Sequence, residues 1–168
     1  MPHHHQDRPD LIGEHPFGDK GQLILLLLFL AVWVWDSFFL KLGSSIPCLI
    51  PLPFRIGISV LVGTGGTILA KVSHDIVFGE VRETPAVIRK GVFGIIRHPL
   101  YAAALLFYVT LIVATRSILA IIVFIGIAIF YHYIARHEEK MLLTRFGADY
   151  EAYMKEVPRW FPRMHARE

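Results

Sequence analysis

The sequence predicts an all-α, multi-spanning membrane bundle of about four transmembrane helices, including a C-terminal helical hairpin, with a cytoplasmic amphipathic C-terminal helix. Three observations predict it. Hydrophobic residues make up 54% of the 168-residue chain and charged residues only 18%, where a soluble globular chain carries about 25%. The apolar residues gather in four stretches close to the roughly 20 residues that a helix needs to cross a bilayer. The basic residues fall mostly to one side of those stretches, an asymmetry that orients membrane proteins.

Residues 1–20 form a polar tail holding His3, His4, His5 and four acids. The tract reads as a disordered native tail or an appended remnant ahead of a metal-binding tract. No basic segment, short apolar run and small-residue cleavage site follow one another there, so the first span is expected to stay attached. Residues 21–73 supply the first two spans and their loop. The first span covers 22–40, and Asp36 near its outer end is expected to reach headgroups or water. Loop 41–53 contains Pro47, Pro51 and Pro53, which deny it a regular helix; a short helix within 42–53 is the alternative. The second span covers 56–70. In it Ser59, Gly63 and Thr67 recur every four residues, and Gly66 and Ala70 add a second small pair. Such spacing lets backbones approach closely in lipid, within the chain or across a homodimer. Cys48 is the only cysteine and can form no internal disulfide.

Residues 74–98 form a cytoplasmic segment that leads into Pro99, which suits a first helical position because its missing N–H is not needed there. The third and fourth spans, 99–115 and 117–135, are separated only by Arg116. A single helix of that length would overshoot any membrane, so 99–136 is expected to be an antiparallel hairpin. In the cytoplasmic segment 137–168, Leu142, Phe146 and Tyr150 follow at four-residue spacing, with Tyr153 on the same face. That is an amphipathic helix needing a surface to lie against.

An even number of spans places both termini and the 71–98 segment on one side. Only Lys41, Arg55 and Arg116 of the 17 basic residues fall on the other. The first side is therefore expected to be cytoplasmic, and the protein an integral, multi-pass membrane protein. The net charge of +3 then reflects topology and contact with anionic headgroups in the lipid bilayer. No basic-aromatic pattern argues for nucleic acid.

The hairpin brings Arg97, His98 and Tyr101 at its start near Arg136, Glu138 and Glu139 at its end. A helix N-terminus carries partial positive charge and free N–H groups, and Arg97 adds a full charge. Glu138 and Glu139 supply the opposite sign. S-adenosylmethionine, with a carboxylate beside an ammonium and a sulfonium, is a ligand that satisfies both. Its adenine would want an aromatic shelf, which Phe146, Tyr150, Tyr153 or Trp160 could provide. A metal site is not expected, since no His-Glu-x-x-His pattern or cysteine ligand set is present. His132, inside the fourth span, reads as a neutral histidine bonded to a neighbouring helix.

The stretch Gly91-x-Phe93-x-x-x-Arg97-His98-Pro99-x-Tyr101 resembles the glycine–aromatic–Arg-His-Pro-x-Tyr signature of the isoprenylcysteine carboxyl methyltransferase and phospholipid methyltransferase superfamily. Glu138-Glu139-x-x-Leu142-x-x-x-Phe146-Gly147-x-x-Tyr150-x-x-Tyr153, then Pro158-Arg159 and Pro162, is similar to its C-terminal signature. Phe93 stands where the family often has Tyr. The resemblance covers roughly residues 91–162. It implies S-adenosylmethionine enclosed between the hairpin and a cofactor-covering C-terminal segment, with a lipid or lipid-modified acceptor arriving from the membrane. It also implies that Arg97, His98 and Pro99 contact the cofactor's methionine portion, that Tyr101 packs beside it, and that Glu138 and Glu139 hold its cationic groups. Arg97 and Glu139 carry the chemistry in that picture, with Arg136 or Arg159 orienting an anionic acceptor. Two other classes compete: an NADPH-dependent reductase of the sterol type, and a non-catalytic membrane scaffold or transporter subunit.

Overall fold

The computed structural model describes residues 18–45, 50–79 and 86–162. The histidine tract at residues 3–5, Pro47 and Cys48 lie outside the described residues. Those that are described fold into helices and connecting turns with no strands. Helix α1, Gly18–Val34, passes into a π-helical turn at Trp35–Leu40, and α2 is Leu52–Phe78. Helix α3 is Pro99–Thr115, α4 is Ile118–Phe146 and α5 is Ala148–Glu156. Lys20–Leu40, α2 and α4 are each long and apolar enough to cross a membrane, and α3 is a shorter apolar helix.

The reversal between α3 and α4 is as tight as its sequence requires. Arg116 adopts a left-handed conformation, with φ 61°. Ser117 then caps α4, its Oγ accepting a hydrogen bond from the Ala120 amide at 3.2 Å. Lateral packing follows a different pairing, because α2 lies mainly along α3 and α1 along α4. Phe29, Tyr108, Ala120, Ile127 and Tyr131 form the core where α1, α3 and α4 meet. The Phe29 and Tyr108 rings meet edge to face with centroids 4.6 Å apart, a favoured aromatic geometry.

The small residues of α2 serve this fold directly. A Cβ added at Gly63 would stand 3.2 Å from Thr110 Cγ2, and one at Gly66 would stand 3.2 Å from Leu106 Cβ. Together with buried Ser59, they form the seam against α3. Close backbone approach of this kind is what holds helices together in lipid, where no hydrophobic effect operates between them. Thr67 falls outside the seam, exposed and donating to the Gly63 carbonyl.

Three expectations are corrected. Helix α2 is longer than 56–70 at both ends, because Pro53 stands in its first turn, where proline needs no hydrogen-bonding N–H. The polar ends of the helix, with Lys71, His74 and Asp75, are simply exposed. The amphipathic C-terminal helix is not a separate element starting near 137. The sequence from Ala135 to Phe146 contains no glycine or proline, so α4 runs on through it, past the apolar run. The break comes at Gly147, whose positive φ of 54° favours glycine, and α5 follows.

Asp36 is the third. It is fully buried and does not reach headgroups. Its carboxylate accepts from Ser117 Oγ at 2.5 Å and from the amides of Leu119 at 3.0 Å and Leu42 at 3.2 Å. It thereby satisfies amide donors that the start of α4 would otherwise leave bare, and its charge suits the positive end of that helix.

Candidate cofactor and acceptor site

The two signature stretches meet at the end of the bundle where α3 begins. His98 occupies the N-cap position of α3 and Pro99 its first turn. Upstream, Gly91 opens a short 3₁₀ turn, Gly91–Gly94, with φ 59°. Glu139 lies about one turn beyond Ala135, outside the apolar run of α4. The tail then doubles back through α5, and residues 157–162 cross the entrance of α3.

Glu139 is the centre of this arrangement. Its Oε1 accepts from Arg97 Nε at 2.9 Å, Arg159 Nε at 2.9 Å and His98 Nε2 at 3.1 Å. Its Oε2 accepts from Arg159 Nη2. The Glu139 side chain is only 6% exposed and that of Arg97 9%. An ionised carboxylate has no proton to donate and accepts all of these bonds, and charge-assisted bonds to guanidinium groups are the strong class. His98 must therefore carry its proton on Nε2. Burial pulls the His98 imidazole below its ordinary value near 6.5, against the opposing pull of Glu139, while Arg97 and Arg159 reinforce the burial.

Arg97 does a second job. Its Nη1 donates to the carbonyls of Met154 at 2.9 Å and Val157 at 2.5 Å. The Arg97 amide donates to the Pro158 carbonyl at 2.9 Å. Arg97 thus fastens the returning tail to the start of α3, with all three of its side-chain nitrogens engaged by the protein. Arg89, which the sequence did not single out, holds the other edge. Its Nη2 donates to the Asp149 carbonyl at 2.6 Å, and its guanidinium lies over the Tyr153 ring, 5.7 Å from the centroid.

Tyr150 and Tyr153 are buried with Val157 against Val87, Leu142, Phe146 and Met154. Tyr153 donates to the Phe93 carbonyl at 2.6 Å, and burial pushes its phenol up to about 12. Phe146, Tyr150 and Tyr153 accordingly build the inside of the C-terminal cap. The aromatic surface beside the charged cluster is a different set. His98 and Tyr101 stack at 5.6 Å, and Trp160 sits 5.9 Å from His98. Trp160 Nε1 donates to His132 Nδ1 at 3.2 Å, so His132 is bonded to the returning tail rather than to a neighbouring helix.

Glu138 accepts from the Tyr101 hydroxyl and, at 18% side-chain exposure, is the more open of the two carboxylates. Arg159 is similarly half-open at 24%. The Arg136 side chain is exposed and makes no hydrogen bond or ion pair among the described residues. The structure therefore gathers Arg97, His98, Pro99, Tyr101, Glu138, Glu139 and Arg159 in one place and leaves Arg136 on its rim.

A pH dependence follows from His98. Its folded-state value is depressed, so its contribution to stability is complete above the unfolded value near 6.5 and is lost as pH falls through the folded value. Unfolding of the detergent-solubilised protein between about pH 8 and about pH 5 should show this loss, and His98→Gln should flatten it. Identical pH profiles for the two proteins would rule it out.

No curated protein matches the chain closely enough to stand as a relative. A family profile described as phospholipid methyltransferase matches residues 62–149, which takes in most of α2, all of α3 and α4, both signature acids and the Arg97–Tyr101 stretch. With just over half of its residues inside that match, the chain belongs to the phospholipid methyltransferase family.

Proposed function

We propose that the protein transfers a methyl group from S-adenosylmethionine to a lipid or lipid-modified acceptor at the membrane face where α3 begins. The observation that carries this reading is the convergence of Arg97, His98, Glu139 and Arg159 into one buried ionic cluster, bordered by half-open polar and aromatic side chains. The residues fit such a cofactor. Arg159 offers a cation to a carboxylate, Glu138 offers an anion to an ammonium or sulfonium, and Trp160 with the His98–Tyr101 stack offers a face to adenine.

When bound, the cofactor supplies an electrophilic methyl whose carbon–sulfur bond breaks as the acceptor bond forms, the sulfur keeping the electron pair. The protein's share is alignment and dryness. Glu139 and Arg97 act as positioning residues in this reading, since their polar atoms are committed to one another and to the tail. Pro99 sets the direction of α3, and Phe146, Tyr150 and Tyr153 support the cap from within. Glu138, with Tyr101 bonded to it, is placed to take a proton from an amine acceptor. A carboxylate or thiolate acceptor needs no base, and Arg136 on the rim suits an anionic headgroup of either kind. The exposed lipid-facing side of α4 beside Arg136 and Trp160 is the route such an acceptor would take.

The test is incubation of purified protein with methyl-labelled S-adenosylmethionine and total lipid extract, followed by analysis of which lipid carries label. Labelled lipid is expected, together with saturable thermal stabilisation by S-adenosylhomocysteine. Glu138→Gln should weaken that stabilisation roughly 10- to 100-fold in apparent affinity, the worth of one hydrogen bond to a charged group. Stabilisation by NADPH instead, or by neither compound, would defeat the proposal.

A further inference from the structure

The opposite end of the bundle has an electrostatic character of its own. Lys41, Arg55 and Arg116 all lie there, and Asp36 is the one acid near them among the described residues. Asp36 is committed to the Ser117 hydroxyl and the amides of Leu119 and Leu42. Arg55, in the first turns of α2, donates from Nη1 to the Ala114 carbonyl at 3.3 Å. That bond brings its guanidinium to the C-terminal end of α3, two residues from Arg116. Gly43, close to Lys41 in the chain, packs directly on Arg116, so that an added Cβ would fall 1.9 Å from the Arg116 carbonyl oxygen. Three cations therefore border one small area.

Two further features point to what that area holds. Arg55 Nε is buried and has no hydrogen-bond partner among the described residues, a costly state for a charged group's donor unless an acceptor meets it. On the exposed side of the same first turns of α2, Pro53, Phe54, Gly57, Ile58 and Leu61 line an open apolar groove of about 370 Å³. Gly57 adds no side chain to the groove, and a Cβ built there would touch nothing within 4 Å. Ile58, in its wall, is the i+3 neighbour of Arg55 and so shares its helix face.

We propose that this end of the bundle binds an anionic phospholipid, with its phosphate held by Arg55 and Arg116 and an acyl chain lying in the groove at Gly57. Guanidinium groups match phosphate oxygens in planar, paired hydrogen bonds, and Lys41 adds attraction without that geometry. A phosphate would give Arg55 Nε its acceptor, and the groove on the same turns of α2 is apolar as a chain requires. The site is independent of the methyl-transfer reading and stands or falls separately from it.

The test is native mass spectrometry of protein released from nanodiscs of phosphatidylcholine and phosphatidylglycerol in equal parts. The unmodified protein should retain phosphatidylglycerol in preference to phosphatidylcholine. Arg55→Gln with Arg116→Gln should lose most of that preference, whereas Lys71→Gln with Lys140→Gln, an equal loss of charge from exposed positions elsewhere, should keep it. Gly57→Leu fills the groove without meeting a neighbour, so it should fold and still bind less lipid. Equal retention in all four proteins, or equal loss in both double variants, would overturn the proposal. So would matching thermal stabilisation by inorganic phosphate alone, which would assign a free anion in place of a lipid.

Discussion

Glu139→Ala is expected to abolish methyl transfer and to lower stability by about 3–5 kcal/mol, the range seen when one partner of a buried ion pair is removed. Both losses have one origin. The carboxylate receives bonds from Arg97, Arg159 and His98, and without it two guanidinium groups face each other with no anion between them. Arg97 would then have less reason to hold the Met154 and Val157 carbonyls, and the returning tail would loosen. Glu139→Gln separates the two effects. It keeps an acceptor oxygen for the cluster and should stay folded in detergent, yet the shift of Arg97 and Arg159 should reduce labelling about 100-fold, as small misplacements of aligned groups do. Full activity of Glu139→Gln would remove the residue from the site.

The second large effect is expected far from that site. Asp36→Ala should destabilise the protein by about 3 kcal/mol, because the buried Ser117 hydroxyl and two part-buried amides lose a charged acceptor at once. Asp36→Asn, which retains one carbonyl oxygen, should cost less. Ser117→Ala, removing one cap contact, should cost about 1 kcal/mol. Denaturant unfolding in detergent measures all three. An Asp36→Ala protein as stable as its parent would show that the bonds to Ser117, Leu119 and Leu42 contribute nothing.

The sequence made the helical segments legible wherever a strong local signal coincided with the chemistry. Pro99 opens α3 at the residue expected, and Arg116 marks the reversal, because both positions are governed by backbone preferences that one residue expresses. The meeting of Arg97 with Glu139 was legible too, since a tight hairpin must return its end to its start. What escaped was decided by partners distant in the chain. Asp36 looks like a headgroup contact until Ser117 and Leu119, some 80 residues away, are brought onto it. Tyr150 and Tyr153 share a face with Leu142 and Phe146, and that face proved to be the inside of a cap instead of an open shelf. Arg89 gave no periodic or motif signal, and only the path of the returning tail gives it partners. The length of α4 escaped for the opposite reason: polar residues after Ala135 suggested a boundary, although nothing in them breaks a helix.

That unbroken helix has a mechanical meaning. From the Ser117 cap to Glu139, α4 makes about six turns, with no hinge, so the direction in which Glu139 points is inherited from the place where the helix is pinned by Asp36. One residue inserted between them would swing Glu139 about 100° around the axis and push it about 1.5 Å along it. The anchorage at one end of α4 thus works as a protractor for the other, and α4 can be lengthened or shortened only in near-whole turns if the acids are to keep their aim.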